Sequence, residues 1–325
     1  MSQLSPSPPA VSQPAEMNVV QKYAPWLYSF WKFTRPHTII GTSLSAIGLF
    51  AIAWAFSGDS LTWKALLPLF GTGFACLCGN VYIVGLNQLF DIEIDQINKP
   101  ELPVAAGEFS RKQGLIIVGI TGILAVALAV LQGPWLLGTV LISLGLGTVY
   151  SLPPIRLKRF PFWASFCIFT VRGIIVNLGL FLHYQWVMQG EGVAMIPPSV
   201  WALTLFVLGF TFAIAIFKDI PDMEGDRLYQ INTWTLHLGA RTVFDLARWV
   251  IAICYIGTSV AGFLWLPQVN PFVLAIAHSV ALMGLWWRSR QVDLEDKVAI
   301  AACYQFIWKL FFLEYIMFPV ACLLA

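Results

Sequence analysis

Hydrophobic and polar positions alternate along this chain on the scale of whole segments: nine long apolar runs are separated by short polar ones. The runs centre on residues 37–57, 64–90, 112–132, 134–150, 161–183, 198–218, 242–265, 270–288 and 304–324. Each is close to the roughly 20 apolar residues that a helix needs to cross a bilayer. Lipid offers no hydrogen-bond partner to an open backbone, so runs of this length are expected to be helices. The Gly and Pro within them are no objection, since both are commoner in membrane helices than in soluble ones. The pattern predicts an all-α integral membrane protein, a nine-transmembrane-helix bundle built as one domain over residues 26–325. Residues 1–25 are rich in Pro and Ser and lack an apolar stretch, which predicts a disordered tail and not a signal peptide. That tail has no Arg and is short for a plastid transit peptide, so a bacterial or already trimmed chain is expected.

Composition strengthens the membrane reading. The chain is 58% hydrophobic and 11% charged, whereas soluble domains average about 45–50% apolar and about 25% charged. A net charge of +2 provides no basic footprint for nucleic acid. The six cysteines lie in or beside apolar runs without C-x-x-C spacing, and read as small buried hydrophobes.

Charge placement gives an orientation. Fifteen of the 19 Lys and Arg fall before the first run or in alternate loops after it: Lys22, Lys32 and Arg35; Lys99, Arg111 and Lys112; Arg156, Lys158 and Arg159; Lys218, Arg227 and Arg241; Arg288, Arg290 and Lys297. The opposite side has only Lys64, and Arg172, Arg248 and Lys309 fall inside runs. By the positive-inside rule, the N-terminus and the basic loops are expected in the cytoplasm.

The acids follow the same side. One cluster is Asp91, Glu93, Asp95, Glu101 and Glu108; the other is Asp219, Asp222, Glu224 and Asp226. Asn87, Asp91 and Asp95 are spaced i, i+4, i+8 and would form one stripe on a continuous helix. Asp219, Asp222 and Asp226 would do likewise if the sixth helix runs on through Pro221 and Gly225. Facing carboxylate stripes repel unless a cation lies between them, and oxygen donors of this kind suit Mg²⁺. Mg²⁺ is typically held by one or two carboxylates plus substrate phosphate, so two such sites would make a diphosphate cradle. Arg156, Lys158, Arg159 and Lys218 border these clusters. Arg172 and Asn177 lie within the fifth run, where a charge is costly and usually faces a polar interior. His37, after Arg35 and Pro36 at the mouth of the first run, is a candidate substrate contact. Arg248 and Lys309 have Asp245 and Glu314 nearby as pairing partners.

With those residues in place, the chain resembles the UbiA-type intramembrane aromatic prenyltransferases over about residues 30–325. That family's motifs, N-D-x-x-D-x-x-x-D and D-x-x-x-D, fall on Asn87, Asp91 and Asp95, then on Asp222 and Asp226. Position 88 departs from the pattern, being Gln where the motif has Asp, which removes one potential ligand and argues against the 4-hydroxybenzoate and chlorophyll branches. The segments FTRPHTIIGTSLS, VYSLPPIRLKRFP, VRGIIVNLG, AIFKDIPDMEGDR and AACYQFIWKLFFLEY are similar to the homogentisate prenyltransferases of cyanobacteria and plastids.

The resemblance implies an enzyme that transfers a phytyl group from phytyl diphosphate to homogentisate, with loss of CO₂, on the path to tocopherol. It implies two Mg²⁺ ions, one on Asn87, Asp91 and Asp95 and one on Asp222 and Asp226 with help from Asp219. Lys158, Arg172 and Lys218 would neutralise departing pyrophosphate, with Arg156, Arg159 and Asn177 as further binding groups. Arg35 and His37 would grip the acceptor carboxylate. Tyr150, Tyr82, Phe90 and Phe217 are candidates to face an allylic cation. A geranylgeranyl or solanesyl donor stays open, as does the oligomeric state; the host membrane would be thylakoid or plasma membrane. The rival reading is an ion-coupled transporter, since intramembrane Asp, Asn and Arg also mark ion pathways. Against it, the acids sit at helix ends, whereas transporter sites lie near the midplane.

Overall fold

The computed structural model describes residues 22–58, 63–190, 195–221, 223 and 234–325. Most of the expected tail, together with Asp222, Glu224, Asp226 and Arg227, lies outside the described residues. The chain is all helical in its regular elements: α1 Pro25–Phe33, α2 Pro36–Ser57, α3 Trp63–Phe90, α4 Ile92–Asn98, α5 Arg111–Gln132, α6 Pro134–Ser151, α7 Pro161–Phe169, α8 Val176–Gln189, α9 Pro198–Phe217, α10 Trp234–Leu238, α11 Ala240–Leu264, α12 Pro271–Ser289 and α13 Lys297–Leu323. Among the described residues, nine helices are long and apolar enough to cross a membrane. The fifth is α7 and α8 joined through a π turn at Thr170–Ile175.

The helix starts follow from local chemistry. Pro25, Pro36, Pro134, Pro161, Pro198 and Pro271 each open a helix, where a missing N–H costs nothing and φ is already helical. Ser110 and Gln113 form a reciprocal capping box at α5. Asp296 accepts from Val298 N at 2.8 Å and starts α13 at Lys297, seven residues before the apolar run. A capped helix can begin in water, and hydropathy alone marks only its lipid-facing part. The fifth span likewise runs on to Gln189. Amphipathic α1 precedes the first span and has Trp26 and Trp31 exposed.

The packing encloses a space. α2 lies against α3, α8 and α13; α3 lies against α5 and α6; α9 links the π turn to α11 and α13. At Gly48 a Cβ would lie 2.7 Å from the carbonyl oxygen of Tyr315, so glycine is what allows α2 this close to α13. Two further features point to the end carrying the basic loops. Among the described residues, only Arg35 (φ 53°) and Arg156 (φ 41°) are non-glycines in the left-handed region. Such strain costs about 1–3 kcal/mol and gathers where function demands it.

Candidate active site

The expected stripe Asn87–Asp91–Asp95 is not one continuous helix. α3 stops at Phe90, Asp91 takes φ −122° and ψ 16°, and α4 starts afresh at Ile92. Aspartate is a natural cap residue, yet this side chain caps nothing. Its carboxylate is engaged elsewhere. Oδ1 accepts from Arg156 Nη2 at 2.8 Å, and Oδ2 accepts from Asn87 Nδ2 at 2.9 Å and from Lys158 Nζ. Arg156 also donates to the Phe90 carbonyl at 3.1 Å, which fixes the broken helix end. The side chains of Asp91, Arg156 and Lys158 are 12%, 18% and 13% exposed, so this is no solvated surface bridge. Burial pulls the Lys158 ammonium below its ordinary pKa, against the opposing pull of Asp91.

Asp95 remains close to the same charges despite the break. Burial pushes its carboxyl above the usual range, with Arg35 and Lys99 pulling the other way. Its Oδ2 is buried without a hydrogen-bond partner among the described residues, as are Arg35 Nε and Arg156 Nε. Buried polar atoms are rarely left so. Arg35 donates from Nη2 to Asn87 Oδ1 at 3.2 Å, which places it with the acids. Gln88 does not line the cavity described below. It is buried, and its amide donates to the Phe33 carbonyl at 2.8 Å, two residues before Arg35. Position 88 therefore holds the α1–α2 corner that presents Arg35.

A second group sits across the same cavity. Arg172, on the π turn, lies over the Trp308 ring at 5.0 Å and near Phe311 at 6.0 Å. His37 meets Trp308 edge-on, with centroids 5.7 Å apart. Asn177 does not line the cavity; it is fully buried, donates to the Gly173 carbonyl at 2.7 Å and accepts from Tyr315 Oη at 2.9 Å. It thereby ties the π turn to α13.

Beside them lies a cavity of about 380 Å³ lined by Arg35, His37, Asn87, Tyr150, Arg172 and Trp308; Asp91, Asp95, Arg156 and Lys158 do not line it, and Asp91 meets it through Asn87. Its deeper walls are mostly apolar, with Cys76, Val140 and Leu180 among them. Other expected residues are placed apart from it. Arg159 is exposed, and Lys218 is 57% exposed with its Nζ 4.0 Å from Asp219. Tyr82 Oη pairs with Thr148 Oγ1 at 2.8 Å, Phe90 lies under Arg111, and Phe217 is buried against Tyr304 and Phe244. Arg248 pairs with Asp245 at 3.0 Å as its spacing suggested. Glu314, however, pairs with His278, while Lys309 is exposed; five residues apart, the two side chains leave α13 on different faces. Sequence reasoning missed Trp308 and Phe311. With aromatics at 14% of the chain, their type alone carries no signal.

Chemically, the acid group is an all-oxygen donor set with an unsatisfied carboxylate oxygen, which fits a hard divalent cation. A cation there would leave Arg156 and Lys158 free to face a phosphate-rich anion. The apolar shaft below suits a hydrocarbon tail.

Comparison with known proteins agrees in outline. The model of the UbiA prenyltransferase family matches residues 25–310. The chain is 52% identical to the homogentisate phytyltransferase of Synechocystis over 91% of its own length and 96% of that protein. A solved digeranylgeranylglyceryl phosphate synthase shares the fold with a TM-score of 0.62 and 20% identity, over 92% of this chain and 99% of that one. A UbiA homologue from Archaeoglobus fulgidus bound to DMAPP and Mg²⁺ aligns with a TM-score of 0.54 and 16% identity, over 91% and 99% of the two chains.

Proposed function

The chain belongs to the UbiA prenyltransferase family, and from that premise we propose that it is a homogentisate phytyltransferase. It takes phytyl diphosphate and homogentisate and releases 2-methyl-6-phytylbenzoquinol, pyrophosphate and CO₂. The observation that carries this reading is a mostly apolar cavity lined at one end by Arg35 and Asn87, with Asn87 bonded directly to Asp91 behind it. Asn87 near its mouth and Cys76 deeper down both line it, about 16 Å apart along α3 at 1.5 Å per residue. A twenty-carbon isoprenoid, with roughly 16 backbone carbons at about 1.25 Å each, spans about 19 Å. The likeness to the Synechocystis enzyme favours phytyl as the donor group.

Asn87, Asp91 and Asp95 would hold one Mg²⁺, and Asp222 and Asp226 with Asp219 a second. Bound there, Mg²⁺ supplies Lewis-acid stabilisation of the leaving diphosphate. Arg156 and Lys158, already buried beside Asp91, neutralise charge on the pyrophosphate as the allylic C–O bond breaks. Tyr150 faces the reacting end of the cavity and helps to keep it free of bulk water. The electron-rich ring forms the new C–C bond and loses its ring proton; the carboxyl then leaves as CO₂ and the remaining methylene takes up a proton. The active site faces the cytoplasm, on the side of the basic loops, in a cyanobacterial thylakoid or plasma membrane.

The test is a product assay on membranes containing the chain, with Mg²⁺, homogentisate and phytyl, geranylgeranyl or solanesyl diphosphate, products being weighed by mass spectrometry. A decarboxylated phytylquinol that disappears on chelation is the expected result. Folded protein yielding no homogentisate product from any donor would overturn the proposal and favour a carrier.

A further inference from the structure

Arg172 does not belong with the other cations of the site. Among the described residues it makes no ion pair, whereas Arg156 and Lys158 share Asp91 and Arg35 is tied to Asn87. A guanidinium cannot be neutralised by losing its proton, and an unpartnered charge inside a membrane span is costly. The fold nonetheless holds it in place. Asn177 takes the Gly173 carbonyl inside the π turn and the Tyr315 hydroxyl from α13, so the turn bearing Arg172 is registered on the helix bearing Trp308. A cavity-lining cation fixed in this way, without an internal counter-ion, is built for an anion that arrives from outside.

Its neighbours say which anion. Arg172 stands over the face of Trp308 and beside Phe311, and His37 touches the same indole edge-on. A diphosphate gains nothing from an aromatic wall. An arylacetate gains twice, with its ring against Trp308 and its methylene-borne carboxylate on the guanidinium, whose fork matches it. We propose that Arg172, Trp308 and His37 form the acceptor subsite, in which Arg172 binds the carboxylate of the aromatic acid. Arg35, expected at that task, instead serves the acid group through Asn87. This assignment rests on the prenyl transfer proposed above.

Steady-state kinetics on the full chain in lipid vesicles test it, with methylhydroquinone, the acceptor ring without its carboxylate, as a competitive probe. Arg172→Gln should raise the KM for homogentisate about 10- to 100-fold, the range for losing a charge-assisted hydrogen bond. The KM for phytyl diphosphate should stay within about threefold, and the Ki of methylhydroquinone should be unchanged, since that probe never used the charge. Trp308→Leu should weaken homogentisate and methylhydroquinone alike. If Arg172→Gln fails to fold, Arg172→Lys keeps the charge but loses the fork, and should show the same split at smaller size. A rise in donor KM in either Arg172 variant would overturn the subsite and return Arg172 to the diphosphate. An equal loss for homogentisate and methylhydroquinone in Arg172→Gln would also overturn it. Wild-type protein that turns over no homogentisate at all would instead defeat the activity itself, a different and earlier failure.

Discussion

Two buried acid–base assemblies among the described residues differ in what they leave unsatisfied. Behind the cavity-lining Asn87, Asp91 is held by Arg156, Lys158 and Asn87. Between α11, α12 and α13, Glu314 is held by His278, whose Nε2 lies 3.3 and 3.2 Å from its two carboxylate oxygens. The His278 Nδ1 reaches the Tyr255 carbonyl at 3.1 Å and Ser259 Oγ at 3.0 Å, with the rings of Phe206 and Tyr255 packed around it. A carbonyl only accepts, so Nδ1 carries a proton. The network then closes whether the other proton sits on histidine or on glutamate. Neither Glu314 nor His278 lines the cavity, and neither keeps a buried atom without a partner. Around Asp91, by contrast, Asp95 Oδ2, Arg35 Nε and Arg156 Nε are unpartnered. Chemical type is nearly the same in the two places; unmet bonding capacity, linked to a cavity through Arg35 and Asn87, separates a site from a staple.

Substitution of the two acids gives the largest contrast. Asp91→Asn keeps shape and capping ability but removes the charge, and turnover should fall by at least about 10²- to 10³-fold, the range for losing one electrostatic stabiliser. Gel filtration should match wild type, while the detergent unfolding midpoint should fall somewhat because Arg156 and Lys158 lose a buried counter-ion. Glu314→Gln should keep turnover within a few-fold and lower the midpoint, a neutral hydrogen bond in place of a charged one costing about 1 kcal/mol. Loss of turnover in well-folded Glu314→Gln would mean that the staple is coupled to the site after all.

The staple can then be removed as a unit. His278→Leu with Glu314→Leu should recover most of the midpoint lost in Glu314→Gln, because replacing a buried pair by apolar side chains is often neutral or stabilising. No comparable rescue should restore turnover after Asp91 and Lys158 are replaced together. A double variant less stable than Glu314→Gln would show that the pair contributes more than closure of its own bonds.

Backbone strain sharpens the comparison next. Arg156 sits at φ 41° to reach Asp91 and the Phe90 carbonyl. Arg156→Gly relaxes that conformation, which offsets part of the lost buried pair with Asp91, so the unfolding midpoint should move little. Turnover should drop about 10- to 100-fold, because the substitution removes a charge-assisted hydrogen bond. A parallel fall in both would place Arg156 among the structural groups.

The contrast also explains how much of the molecule is legible in its sequence. Lipid leaves the backbone few choices, so nine spans can be read from run length alone, and all nine are present among the described residues. Asn87 and Asp91 can be joined because i, i+4 neighbours meet on a helix, and they do at 2.9 Å. The break at Asp91 is hidden, since it is made by Arg156 and Lys158 from 65 and 67 residues away. Lys158 and Arg156 stand out only as basic residues near an acidic cluster. Closeness in sequence matches Glu314 to Lys309, whereas its partner His278 lies on another helix. Trp308 is hidden among many aromatics, and only the position of Arg172 singles it out.

The smallest effect belongs to a third acid–base pair, one open to water, which sets the lower end of the scale. Lys32 and Ser29 of α1 hold Glu108, the serine at 2.6 Å, and Lys32 also reaches the Glu101 carbonyl at 3.3 Å. This clamp ties α1 to the segment between α4 and α5. Partial burial pushes the Glu108 carboxyl up, but the bonds from Lys32 and Ser29 outweigh it and hold the group below its ordinary 4.5. A folded value below the unfolded one means that the stabilisation is fully present above pH 4.5 and is lost as pH falls through the folded value. With side chains 22% and 33% exposed, the pair is screened and worth about 0.2–1 kcal/mol. Protection of the α1 amides, taken relative to the intrinsic exchange rate at each pH, should therefore fall below pH 4.5 in wild type, and Glu108→Gln should flatten that dependence. High salt should mimic the substitution at Glu108 and leave Asp91 almost untouched, because salt screens exposed pairs far more than buried ones. Protection in α1 that ignores both pH and salt would show that packing of Phe33 and Phe109, not the clamp, holds this corner.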